Sequence, residues 1–216
     1  MKYKHTTLAL MLAAAGLATG AAHAQEKVTI GFITDMSSLY SDVEGKGGAT
    51  AIQMAIDDFG GKALCQPIEL LTADHQNKAD IAASKAREWI DTQGATMIFG
   101  GTNSGTALAT AKVAQEKKRV YINNGAASSA LTNEQCSPYT MHYAYDTVAL
   151  AKGTGGAVVE TGGKTWFFLT SDYAFGHALE KDTSTVVEAK GGKIVGAVRH
   201  PLNASDFSSF LLQAQN

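Results

Sequence analysis

Basic residues are scarce and scattered: 18 Lys and Arg stand against 20 Asp and Glu in 216 residues, with no basic cluster anywhere. That excludes nucleic acid as a partner, because phosphate binding needs clustered positive charge. Proline (3) and cysteine (2) are equally sparse. The first scarcity leaves long stretches free for regular structure, and the second rules out a disulfide-dense scaffold. Beyond the N-terminal segment no apolar run reaches the ~18 residues that cross a bilayer. Asp74-His75-Gln76-Asn77 has no second His or Cys at ligand spacing, and His142, His177 and His200 are isolated, so no metal site is expected. Gly-x-Ser-x-Gly and His-Glu-x-x-His motifs and a Cys-His pairing are missing, and no catalytic residues are predicted. No cofactor is expected either. Gly45-Lys46-Gly47-Gly48-Ala49-Thr50 carries Thr50 in the third glycine position of a dinucleotide fingerprint, and Gly105 is followed by Thr106 where a phosphate loop has Lys.

What is present begins with the N-terminus. Lys2 and Lys4 precede an apolar run from Leu8 to Ala18, and Ala22-His23-Ala24 places small residues where a signal peptidase inspects them. These features predict a secretory leader over residues 1–24, cleaved after Ala24, and a mature chain outside the cytoplasm. Loss of Lys2 and Lys4 takes the formal net charge from −2 to about −4. In an oxidising compartment Cys65 and Cys136 either form one disulfide, contributing about 4 kcal/mol by closing a long loop, or stay apart as small buried hydrophobes.

From Val28 onward, short β-rich runs alternate with longer stretches of helical period. Residues 28–33, 68–71, 97–99, 120–122, 165–169 and 194–198 are the expected strands. Apolar stripes at Ala49, Ile52, Ile56 and Phe59, at Ala82, Ala86, Trp89 and Ile90, at Ala107, Ala111 and Ala114, and at Leu150, Thr154, Ala157 and Val158 predict the helices between them. This alternation builds an α/β fold with mostly parallel sheets. A seam at residues 137–146, with Pro138 and three tyrosines, divides the chain into a lobe over 25–142 and a second over 143–216. The second holds two strands and then a helix carrying Phe207, Phe210 and Leu211, so it reads as incomplete.

In such sheets ligands bind beyond the carboxyl ends of the strands, where helix N-termini expose free N-H groups. Gly100-Gly101-Thr102-Asn103-Ser104-Gly105 is the sharpest of these loops: two glycines admit a close approach, and Ser104 is placed to cap the next helix beside a bound carboxylate. Asn123-Asn124-Gly125-Ala126-Ala127-Ser128-Ser129 is a second small-residue loop at a strand end.

An exported chain with Gly31-Phe32-Ile33, then Tyr40, Ala73-Asp74-His75-Gln76-Asn77, Gly100 to Ser104, Asn123-Asn124-Gly125-Ala126 and Ser171-Asp172-Tyr173-Ala174-Phe175-Gly176 resembles the periplasmic leucine/isoleucine/valine-binding family of ABC-transporter receptors. The resemblance covers essentially all of the chain after the leader. It implies two α/β lobes closing on a small ligand in the periplasm, a length well beyond 216 residues, a membrane permease as partner, a monomer, and no chemistry on the ligand. It also implies that Ser104, with Thr102 and Asn103, holds the ligand carboxylate, that Gly125, Ala126 and Ala127 present backbone groups, and that Tyr40, Tyr173 and Phe175 form aromatic walls. Ala127 and Phe175 depart from the threonine and tyrosine usual in amino-acid binders. Both changes make the pocket less polar, so aromatic or aliphatic carboxylates stand beside amino acids as expected ligands, and a ligand sensor of the same fold beside a transport receptor.

Overall fold

Strands and helices alternate in the computed structural model, which describes residues 27–215. The leader and its cleavage point lie outside the described residues. Val28–Thr34 (β1), Gln66–Asp74 (β3), Ala95–Phe99 (β4), Val120–Asn123 (β5) and Thr140–His142 (β6) run parallel, and Lys62–Ala63 (β2) pairs antiparallel with the start of β3. The order across the sheet is β2-β3-β1-β4-β5-β6. A second sheet consists of Thr165–Ser171 (β7) paired in parallel with Lys193–His200 (β8). Gly45–Asp58 (α1), Ala79–Thr92 (α2) and Ser104–Lys117 (α3) belong to the first unit, and Ala174–Ala189 (α5) and Ser208–Gln213 (α6) to the second. Between the units, α4 runs Thr147–Leu150, through a π-helical turn at Ala151–Gly155, into Gly156–Glu160.

One face of the larger sheet carries the core. The predicted stripes of α2 (Ala82, Ala86, Trp89, Ile90) and α3 (Ala107, Ala111, Ala114) are buried against Ile98, Tyr121 and Leu131. Alternation in β1 turns Gly31 and Ile33 toward that layer, and β4 adds Ala95 and Ile98, three apart across an irregularity in its pairing with β1.

Three expectations need correction. On α1 only Ile56 of the proposed stripe is buried, and Phe59 is 70% exposed, because the helix ends at Asp58 and leaves Phe59 at its cap. In α4 the buried line is Thr147, Ala151, Gly155 and Val159, not Leu150, Thr154, Ala157 and Val158. The wider π turn keeps positions four apart on one line, where a regular helix would drift off it. Cys65 and Cys136 are both free and exposed, neither bridged nor buried. Cys65 sits in the β2–β3 turn and Cys136 just before β6, at opposite edges of the sheet. The four strand intervals from β3 to β6 span roughly 19 Å, whereas bridged Cα atoms lie within about 7 Å.

Candidate functional site

The loops at the carboxyl ends of β1, β4 and β5 meet one from the second unit. Asp35, wholly buried at the end of β1, accepts hydrogen bonds from the Ser38 hydroxyl (2.6 Å) and from the N-H groups of Ser37, Ser38 and Tyr40. Burial alone would raise its pKa. The Ser38 hydroxyl and the three N-H groups more than offset this and hold the carboxyl below the usual range. Asp74 at the end of β3 likewise accepts from the Met36 and Gln76 N-H groups, tying the second loop to the first. Together they fix the turn that projects Tyr40.

At the end of β4, Gly100 and Gly101 both adopt φ +123°, and a Cβ on Gly100 would fall 2.1 Å from the Ile33 carbonyl oxygen. A Cβ on Gly101 would fall 2.5 Å from both the Tyr121 hydroxyl and Asn123 Oδ1. These glycines therefore make room for neighbouring strand ends, not for a ligand, which corrects the expectation for them. The Tyr121 hydroxyl then donates to the Gly100 carbonyl at 2.8 Å.

The cap of α3 also differs from expectation. Asn103 takes it, accepting from Gly105 N-H at 2.6 Å and Thr106 N-H at 3.3 Å. Its carboxamide oxygen is thereby spent on the helix, and Asn103 does not line the cavity described next. Ser104 is released from capping. Its Oγ accepts the Ser128 N-H at 3.2 Å, which leaves the hydroxyl proton free to donate elsewhere. Ala126 is buried with its carbonyl accepting from Asn123 Nδ2 at 2.6 Å and lying 2.8 Å from His142 Nε2, so it too supports the loop from behind.

A cavity of about 250 Å³ lies between the units. From the first come Tyr40, Thr102, Ser104, Gly125 and Ala127, and from the second Tyr173 and Phe175. Seven of the nine sequence-predicted positions thus converge, and Asn103 and Ala126 stand behind them. Val43 and Tyr145 complete the wall. Sequence reasoning missed both, although Tyr145 belongs to the tyrosine cluster of the seam. The Thr102 hydroxyl is buried and has no hydrogen-bond partner, although it lines this cavity. Across the cleft, the Tyr40 hydroxyl donates to the Tyr173 hydroxyl at 3.1 Å. Burial pushes the Tyr173 phenol well above the usual tyrosine range, so it stays neutral. The Tyr173 and Phe175 rings tilt against each other at 5.9 Å.

A second, apolar hollow of about 450 Å³ lies beside β7, against Trp166, Phe168 and Leu179. Among the described residues no group of three or more His, Cys, Asp or Glu could hold a metal ion. No helix among them is long and apolar enough to cross a membrane.

The chain is similar to several known proteins. A periplasmic binding protein from Burkholderia mallei is 70% identical, with a TM-score of 0.84 over 88% of this chain and 50% of that one. A branched-chain amino acid ABC transporter periplasmic ligand-binding protein from Burkholderia xenovorans LB400 is 43% identical (TM-score 0.71; 88% and 50% covered). A solute-binding protein of an ABC transporter from Rhodopseudomonas palustris BisB5, in complex with 3,4-dihydroxybenzoic acid, is 28% identical (TM-score 0.75; 88% and 51% covered). The chain spans about half the length of the curated relatives it matches. The family model for periplasmic binding proteins matches residues 27–216, and the chain belongs to the periplasmic binding protein family.

Proposed function

We propose that this chain supplies the first lobe, ending near residue 142, and part of the second lobe of an ABC-importer receptor that captures a small carboxylate in the periplasm and passes it to a membrane permease. The observation that carries the reading is the cavity wall itself. The Ser104 hydroxyl has a proton to donate, the buried Thr102 hydroxyl lacks a partner, and both line one cavity with Gly125. A carboxylate there gains charge-assisted hydrogen bonds of about 1.5 to 3 kcal/mol each. Binding and closure need no nucleophile or base, and the protein acts without chemistry on its ligand.

A second reading, an aromatic carboxylate in place of an amino acid, is favoured by the rings of Tyr40, Tyr145, Tyr173 and Phe175 around the cavity. The Rhodopseudomonas relative in complex with 3,4-dihydroxybenzoic acid supports it. Calorimetry with leucine and 3,4-dihydroxybenzoate separates the two. In either case Ser104→Ala weakens binding by roughly ten- to a hundredfold. Replacing the ligand by its amide harms the parent protein far more than the variant. Equal losses in both proteins place the carboxylate elsewhere.

A further inference from the structure

Glu44 ends the loop that carries Tyr40 and stands at the N-cap of α1, yet its carboxylate makes no capping bond to its own helix. It is half-buried and turned toward two other strand ends. One oxygen accepts from the Thr34 hydroxyl at the end of β1, and the other accepts from Asn124 Nδ2 at 2.6 Å. Asn124 immediately precedes Gly125, whose backbone lines the cavity. The loop containing both is pinned on its far side by the Asn123 side chain bonding to Ala126 and by Ser128 N-H bonding to Ser104. Among the described residues, the bond to Glu44 is the one hydrogen bond that reaches residues 124–125 from outside the loop. Burial raises the Glu44 pKa, and the bonds from Thr34 and then Asn124 oppose that rise, so the group sits where an unpaired carboxylate would be costly.

We infer that Glu44 is a positioning residue: it clamps the Asn124–Gly125 tip of the β5 loop to β1 and α1, and so fixes the backbone wall against which the ligand carboxylate docks. The inference rests on the carboxylate reading above and adds a residue that itself does not line the cavity. A clamp of this kind limits the reorganisation the loop must undergo when ligand arrives.

The test uses the full chain with Glu44→Ala, Glu44→Gln and Asn124→Ala. Hydrogen exchange at the amides of residues 124–126 is read without ligand, and affinity is read by calorimetry with 3,4-dihydroxybenzoate and leucine. Glu44→Ala speeds exchange at the tip and weakens binding, each by about tenfold. Glu44→Gln restores both, because its Oε1 accepts from Asn124 while its Nε2 donates to Thr34. Asn124→Ala, a change at an exposed position that leaves the fold intact, reproduces Glu44→Ala, and the double variant is no weaker than either single. Unchanged exchange in Glu44→Ala, failure of Glu44→Gln to restore it, or additive losses in the double variant overturn the clamp. If neither probe binds the parent protein, the carboxylate reading fails while the exchange measurements still decide for or against the clamp.

Discussion

His75 is buried at the end of β3, its Nδ1 accepting the Asn77 N-H at 3.0 Å and its Nε2 without a partner. Burial lowers its pKa, and the negative charges of Asp35 and Asp74 restore only part of that. A histidine kept neutral in this way contributes stability above about pH 6.5, its unfolded value, which is lost as pH falls through the lower folded value. The melting temperature should therefore fall as pH drops below about 6.5, and His75→Asn, which keeps the acceptor and removes the titration, should flatten that slope. Glu44, with its raised pKa, acts in the opposite sense, its contribution being lost as pH rises through its folded value. An unchanged slope in His75→Asn would assign the pH dependence to the carboxylates. Gly100→Ala forces a Cβ onto the Ile33 carbonyl and should cost about 3 kcal/mol or more in urea denaturation; a loss below 1 kcal/mol would show that the strand ends part readily. At this scale the loops were legible from their small residues, but the division of labour within them was not. Asn103 and Ser104 are both good caps in isolation, and only the fold shows that Asn103 takes the cap while Ser104 Oγ accepts the Ser128 N-H and keeps its hydroxyl proton.

At the scale of elements, the apolar stripes of α2 and α3 translated directly into burial, while that of α1 did not. Trp89 stands at the centre of the α2–α3 layer and is 4% exposed, so Trp89→Ala should cost about 3 to 5 kcal/mol. Equilibrium denaturation measures it, and a small loss would mean that the layer refills the gap. Strand β6 escaped sequence reading because Thr140-Met141-His142 is only three residues long, too short to establish a period; it is a strand by virtue of pairing with β5. α4 was found but rotated, since a π turn leaves no mark in an apolar pattern. The cysteine pairing failed for a reason of the same kind: parity counts thiols, and sheet order sets their distance.

Across the whole molecule, the bond between Tyr40 and Tyr173 ties the two units. A bond between neutral groups contributes about 1 kcal/mol, so Tyr173→Phe should shift the balance toward the open form about fivefold. Small-angle scattering reads this as a larger radius of gyration, and an unchanged radius would mean that the bond follows closure without favouring it. The α/β alternation and the position of the cleft were legible because both follow from period and strand polarity, whereas the clasp joins residues 133 apart in sequence and has no local signature. The crossover begins where the cavity wall ends: His142 Nε2 lies at the Ala126 carbonyl, and Tyr143 N-H donates to the Asn123 carbonyl at 2.8 Å. In mechanical terms, on the proposed reading, the fulcrum is bolted to the load, and a torque swinging the second unit about residues 142–143 would arrive first at the loop proposed to hold the ligand.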